Sequence, residues 1–301
     1  MKTETRLLIA DDWDEYTLLD CGGGQKFERF GSQSVIRPDP QAFWQPSRPP
    51  AEWQADAVFD AKAGDDERGN WKLTSPTAQD EWTMRWNELT FKVRRSPFRH
   101  MGIFQEHSVH WRFAQEKIRS AKTHNPNRPI KVLNLFGYTG MASLACASAG
   151  AEIVHLDASP KSNGYGKENQ TLSGLEDRTI RWIADDAMKF VAREQRRGNT
   201  YDGIILDPPK FGRGPKNETW RFEQDFPDLM DGVADLLSPS PLFMIVTAYA
   251  MRLSYLAVAQ TVADRVSQLG GTLEIGEMAL PQKDSERVLP TALYARWSAE
   301  H

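Results

Sequence analysis

Cysteine is scarce in this chain: only Cys21 and Cys146 occur in 301 residues. Two thiols make no disulfide framework, and a reducing cytosol is the compartment such a sequence suits. Long apolar runs are missing too. Nothing approaches the roughly 18 residues of a membrane-spanning helix, and the opening MKTETRLLIADDWDEY turns acidic too soon for a secretion signal. Neither sign of charge dominates. With 37 basic and 41 acidic residues the net charge is −4, which excludes a uniformly basic surface but not a local basic patch. There is no fixed-period repeat and no low-complexity tract. His107 and His110 share a helix face without a third ligand or an H-E-x-x-H frame, so no metal is expected. No G-x-S-x-G elbow points to a hydrolase.

What is present describes an ordinary globular chain, 40% apolar and 26% charged. Its length suggests about two domains, and its two parts differ in pattern. Residues 1–100 are rich in Trp, Pro and short alternating runs. Tyr16–Asp20 and Lys26–Phe30 flank Gly22-Gly23-Gly24 as a hairpin, and Trp82–Trp86 with Leu89–Arg94 form another around Asn87-Glu88. The proline-rich RPDPQAFWQPSRPP between them favours extended backbone. These features predict a small, mostly antiparallel β-domain. From residue 101 to 301, apolar runs at 130–135, 153–156, 179–183, 201–206 and 242–246 alternate with helical stretches, beginning with a helix over about 106–122. A final pair of strands is expected at 272–278 and 292–297. Runs buried on both faces and joined by helices predict a doubly wound, Rossmann-like α/β domain with a mostly parallel, seven-stranded sheet.

In such a sheet the ligand sits beyond the carboxyl ends of the strands. Phe136-Gly137-Tyr138-Thr139-Gly140 follows the first of these strands and opens a small-residue helix over 141–149. Its glycines let backbone pass close to a ligand, and free helix N–H groups point toward it. Asp157 ends the second strand, Asp185 and Asp186 the third, and Asp207-Pro208-Pro209-Lys210-Phe211 follows the fourth. Asp186 also reads as a helix N-cap. Asp157 lies 17 residues beyond Gly140, near the spacing at which a carboxylate meets an adenosine ribose. Neither the three-glycine pyrophosphate fingerprint nor a P-loop is present. The turn therefore suits an adenosine without phosphates, and S-adenosylmethionine is such a ligand.

The pair Asn134-Leu135-Phe136-Gly137-Tyr138-Thr139-Gly140 and Leu206-Asp207-Pro208-Pro209-Lys210-Phe211 resembles the class I S-adenosylmethionine-dependent methyltransferases of the bacterial 23S rRNA group, relatives of the cytosine-C5 and guanine methyltransferases. The resemblance covers most of the chain, from Glu28-Arg29-Phe30-Gly31 and Arg37–Ala42 through Gly102–Trp111 to Val288–Trp297. It implies that Phe136, Gly137, Tyr138 and Gly140 line the methionine end, that Asn134 and Thr139 also belong to the cofactor site, and that Asp157 takes the ribose. Asp185 or Asp186 meets the adenine, and Glu106 with His107 closes over the cofactor. Asp207, Pro208, Pro209, Lys210 and Phe211 then carry the chemistry. A C5 mechanism needs a cysteine nucleophile. Where relatives carry it after the fifth strand, this chain has Thr247-Ala248-Tyr249, so a nitrogen of RNA is the expected acceptor. The alternatives are the same class acting on a protein or small molecule, and an RNA-binding protein that keeps the fold without turnover. Arg85, Lys92, Arg94, Arg95 and Arg99, with Trp86, Phe91 and Phe98 interleaved, read as a track for RNA. Alternation along a strand also fits buried aromatics under a solvated charged face.

Overall fold

The computed structural model describes residues 1–249 and 253–300, without the side chains of Asp65 and Asp66. Its contacts divide it into two units, and the division is not a single cut near residue 100. One unit joins Met1–Leu8, Val109–Met278 and the segment from Ala292 onward; the other joins Ile9–Ser108 and Ala279–Thr291.

The chain opens with β1 (Lys2–Ile9), which belongs to the large sheet. The second unit then contains β2 (Tyr16–Gly22), β3 (Gln25–Phe30), β4 (Gln33–Pro38), β5 (Ala57–Lys62) and β6 (Asp65–Leu73) as one five-stranded sheet in that order. All its pairings are antiparallel except β4 with β5. A separate hairpin joins β7 (Glu81–Trp86) to β8 (Leu89–Arg94). The proline-rich crossing runs from the end of β4 through turns to one short 3₁₀ turn at Pro50–Glu52. It is tied down by the buried Asp20 carboxylate, which accepts from the Ser47 and Arg48 amides, Trp53 Nε1 and Gln282 Nε2. A fully buried Glu28 takes a bidentate pair from Arg37 and the Tyr16 hydroxyl.

The other unit contains α1 (Ser108–His124), β9 (Lys131–Leu135), α2 (Met141–Ser148), β10 (Glu152–Asp157), α3 (Pro160–Leu172), β11 (Ile180–Ala184) and α4 (Ala187–Arg197). It continues through β12 (Gly203–Leu206), the short β13 (Phe211–Arg213) and β14 (Thr219–Arg221), α5 (Phe222–Ala234) and β15 (Phe243–Tyr249). It closes with α6 (Tyr255–Val266), β16 (Thr272–Pro281) and β17 (Val288–Ser298). Local sequence sets the helix starts: Ser159 caps α3 ahead of Pro160, Asp186 caps α4, and Ser254 caps α6. The sheet has eight strands, one more than expected, in the order β1-β16-β17-β15-β12-β9-β10-β11. The extra strand is β1, a largely exposed edge whose polar composition gives little apolar signal. Strands β15, β12, β9, β10 and β11 run parallel, and β17 joins antiparallel. β12 is buried along its whole length, as a run covered by helices on both faces must be. Chain order reverses between β9 and β12, which is the topological switch point.

Under the turn between β9 and α2 lies a buried polar chain. Asn134 Nδ2 donates to Ser143 Oγ, which sits 2.9 Å from His155 Nδ1, and the His155 ring packs on Trp182 at 4.4 Å. The glycines are constrained from this side. A Cβ on Gly137 would collide with the His155 ring. One on Gly140 would meet Trp182 Cη2 at 2.6 Å, at a φ of 87°. Packing against the sheet is thus enough to demand both glycines, whatever passes on the far side.

Two outcomes follow from this packing. Gly140→Ala combines a left-handed backbone with overpacking and should cost about 2–5 kcal/mol of unfolding free energy by denaturant titration. Burial lowers the His155 pKa to about 3, so the ring is neutral in the folded protein. As pH falls below about 6.5 the unfolded chain takes up a proton that the folded chain refuses, and stability is lost, by at most about 1.4 kcal/mol per unit. His155→Gln should flatten that slope between pH 6.5 and 4. An unchanged slope would place the titrating group elsewhere.

Candidate active site

Three loops leave the carboxyl ends of β9, β10 and β12 side by side. The first runs from Phe136 to Gly140. Phe136 and Tyr138 both hold positive φ (58° and 50°), a conformation costing about 1–3 kcal/mol each for residues with a Cβ. The turn is held by partners on β10. Gly137 N–H donates to the Leu156 carbonyl at 3.0 Å, and Tyr138 N–H donates to Asp157 Oδ2 at 2.9 Å. Phe136 packs on Trp220, with ring centroids 5.1 Å apart, and the buried Thr139 offers its carbonyl to Asn169. Among the described residues no side chain caps α2, so the start of that helix is open to an acceptor from outside the chain.

Asp157 is the hinge between the first two loops. Its Oδ2 takes the Tyr138 amide and its Oδ1 takes the Ser159 amide at 2.8 Å. Burial raises its pKa above the ordinary aspartate value, and these two backbone bonds only partly offset that. A carboxylate fixed by two amides and still short of solvation is a ready acceptor for hydroxyl donors.

At the end of β11, Asp185 accepts from Arg193 at 2.6 Å and from the Asp186 amide. Asp186 accepts the Lys189 amide and caps α4. Both acids already have protein partners, and Asp186 has the N-cap role its position suggests.

The third loop follows β12. Thr247, buried on β15, donates its hydroxyl to Asp207 Oδ1 and fixes that carboxylate. Pro208 is buried. Trp220 Nε1 donates to the Pro209 carbonyl at 2.7 Å, and Phe222 N–H donates to the Lys210 carbonyl at 3.1 Å. Lys210 and Phe211 are exposed, Phe211 by 53%. Sequence reasoning passes over Thr247 and Trp220 as site residues. The β12–β15 register, which pairs Leu206 with Val246, is what brings Thr247 beside Asp207.

Several of the expected residues are held by partners within the protein. Asn134 is buried at 2% exposure with its amide bonded to Ser143, so it supports the turn from beneath. The Arg85–Arg99 segment is not a track of platforms and open cations. Trp82, Met84, Trp86 and Phe91 are core, as strand alternation allows. Lys92 and Arg94 pair with Glu81, Arg95 (side chain 2% exposed) with Asp80, and Arg99 with Glu67. Of the residues proposed there, Arg85 and Phe98 are exposed. Glu106 is buried in a 3₁₀ turn of the other unit, near enough to Tyr16 and Arg37 to act on their ionisation.

Neither cysteine is suited to attack a base. Cys146 is fully buried in α2 with its thiol pushed up to about 12 by burial. Burial also pushes the Cys21 thiol, which donates to Gln282 Oε1, up to about 11. Among the described residues no group of three or more His, Cys, Asp or Glu is placed to hold a metal ion, and no helix is long and apolar enough to cross a membrane.

A family model for S-adenosylmethionine-dependent methyltransferases matches residues 49–264, more than two thirds of the chain. The crystal structure of a SAM-dependent methyltransferase from Agrobacterium tumefaciens is 40% identical, covers 99% of this chain and 95% of its own, and superposes with a TM-score of 0.93. A Streptococcus mutans structure described as a SAM-dependent methyltransferase shares the fold at 16% identity and a TM-score of 0.69, over 95% of this chain and 76% of its own. The ribosomal RNA large subunit methyltransferase K/L of Shewanella frigidimarina is 31% identical over 152 residues, 50% of this chain and 20% of that protein. Its counterpart in Pseudoalteromonas atlantica is 27% identical over 199 residues, 65% of this chain and 26% of that protein. The chain spans about a fifth to a quarter of the length of these curated relatives. On its sequence and its sheet order, the chain belongs to the S-adenosylmethionine-dependent methyltransferases, as a class I enzyme related to the bacterial ribosomal RNA large subunit methyltransferase K/L family.

Proposed function

We propose that the enzyme methylates a nitrogen on a base of RNA, and specifically of ribosomal RNA. The observation that carries this reading is the environment of Asp207. A buried threonine, not a cysteine, stands on β15 beside it, and both thiols of the chain are buried with raised pKa values. The names of the related K/L enzymes supply the substrate class. The free, buried cysteines accord with work in a reducing cytosol.

In this reading the Phe136–Gly140 turn and the uncapped start of α2 hold the carboxylate end of S-adenosylmethionine, and Asp157 accepts from its ribose hydroxyls. Asp185, which is not committed to a helix cap, borders the adenine. When bound, the cofactor supplies a methyl group on a sulfonium, an electrophile that needs little acid or base help. The protein's task is to hold the acceptor in line, an effect that can be worth about 7–11 kcal/mol. Asp207 accepts an N–H of the acceptor amine and keeps the nitrogen lone pair directed, and Thr247 keeps Asp207 in place. The adjoining prolines stiffen the Pro208 carbonyl as a second acceptor. Phe211 stacks on the base, which leaves its own stack to reach the site.

Three outcomes are expected. Methyl-labelled S-adenosylmethionine incubated with RNA from cells lacking the protein should label the RNA, and nucleoside mass spectrometry should find the methyl on a base nitrogen. Label on a carbon, or on protein alone, would contradict the reading. Asp207→Ala should lose about 10²-fold or more of methyl transfer while keeping cofactor affinity, whereas Cys21→Ala with Cys146→Ala should retain transfer. Asp157→Asn should weaken S-adenosylhomocysteine binding roughly 10- to 100-fold in calorimetry at about pH 7. Because the Asp157 pKa is raised, wild-type affinity should begin to fall on acidification above the usual aspartate range, as the acceptor is protonated. That acid limb should be absent in Asp157→Asn.

A further inference from the structure

The cations that flank Asp207 differ from those of the Arg85–Arg99 segment in one respect: what they are paired with. In the β13–β14 hairpin, Phe211 faces Arg221, Gly212 faces Trp220, and Arg213 faces Thr219. Alternation splits the hairpin into two faces. Gly212 and the buried Trp220 form the inner one, where Trp220 packs on Phe136 and holds the Pro209 carbonyl. Phe211, Arg213, Thr219 and Arg221 form the outer one, and all four are exposed.

Arg213 lies 5.5 Å from the Phe211 ring centroid, and its hydrogen bonds go to the neutral Thr219 hydroxyl and Asn217 carbonyl. Among the described residues the Arg221 guanidinium bonds to the neutral amide of Gln224, while Asp225 takes its backbone N–H. Lys210 and Lys216 make no side-chain ion pair among the described residues. Of the nearby acids, Glu218 is taken by Lys189 and the Lys216 amide, and Asp225 by the Arg221 amide. An exposed aromatic ring therefore sits among cations that make no side-chain ion pair among the described residues, on a hairpin whose base is pinned to the Asp207-Pro208-Pro209 loop.

We infer that the outer face of this hairpin grips the phosphodiester backbone of a single-stranded RNA segment flanking the target base. The inference rests on the RNA reading above. The chemistry is specific to a nucleic acid strand: the cations take phosphates flanking the target base, and the Phe211 ring between them is the face on which that base stacks. An acidic peptide would use the cations but would leave the exposed ring without a partner of its own kind. Arg213, Lys216 and Arg221 are docking residues and take no part in the transfer.

The test is fluorescence anisotropy of a labelled single-stranded RNA oligonucleotide over a salt series. Arg213→Gln with Lys216→Gln and Arg221→Gln should lower the slope of log affinity against log salt by about 0.7 for each phosphate released, so by about 2 in all. Arg213→Lys with Arg221→Lys should keep the slope. So should a control that removes three exposed cations elsewhere, Lys131→Gln with Arg178→Gln and Arg196→Gln. Affinity for S-adenosylhomocysteine should be the same in every variant, which reports that the fold is intact. Phe211→Leu should weaken RNA binding at every salt concentration without changing the slope. An unchanged slope in the triple variant, with wild-type RNA binding and methylation intact, overturns the hairpin assignment alone. An equal loss in the control reduces the effect to net charge and overturns it too, as does a poly-glutamate peptide that competes on equal terms with RNA. Absence of RNA binding by the wild type would sink both this inference and the RNA reading.

Discussion

The site depends on one clamp, the Asp157 carboxylate held between the Tyr138 and Ser159 amides. One bond reaches across to the loop after β9 and the other turns the chain into α3, so a single side chain fixes two strand-end loops at once. The clamp has a cost. Asp157 is buried enough that its charged form is disfavoured, and the loop it holds keeps two residues with side chains in a left-handed conformation. Such strain persists only where the surroundings over-determine it. Here the surroundings are the His155–Ser143–Asn134 chain beneath the turn and the Trp182 ring against Gly140. The buried imidazole thus belongs to the same device as the carboxylate at the strand end.

Around that device the charges are sorted by partner. In the N-terminal unit the cations of β8 and the segment after it are satisfied by Glu81, Asp80 and Glu67, which suits a structural role. On the β13–β14 hairpin Arg213 and Arg221 meet neutral groups among the described residues, which suits a partner that brings its own negative charge. Formal charge along the sequence is similar in both places. Pairing separates them.

This is also where legibility in the sequence ends. Four of the five parallel strands, β9, β10, β12 and β15, are readable because each is a short, mostly buried apolar run, while the edge strand β11 is only partly buried. The hairpins at Gly22-Gly23-Gly24 and Asn87-Glu88 are readable because turn chemistry is local. The loops bearing Phe136–Gly140, Asp157 and Asp207 follow from strand-end position, and the Asp186 cap from its place before a helix. Strand β1 is hidden because an exposed polar edge has no periodic apolar signal. The three-residue strands of the β13–β14 hairpin are too short to register. Thr247 and Trp220 gain their roles from neighbours 40 and 11 residues away, and the Arg85–Arg99 cations lose theirs to acids brought in by strand register and chain return. None of these depends on a window of adjacent residues.

The most direct measurement of the central claim is a crystal structure of the protein with S-adenosylhomocysteine bound. The account predicts the ribose hydroxyls within hydrogen-bond distance of the Asp157 carboxylate, the ligand's carboxylate at the start of α2, and its sulfur facing the Asp207-Pro208-Pro209 loop. A ligand seated elsewhere, or Asp157 left with the Tyr138 and Ser159 amides as its only partners, would contradict it.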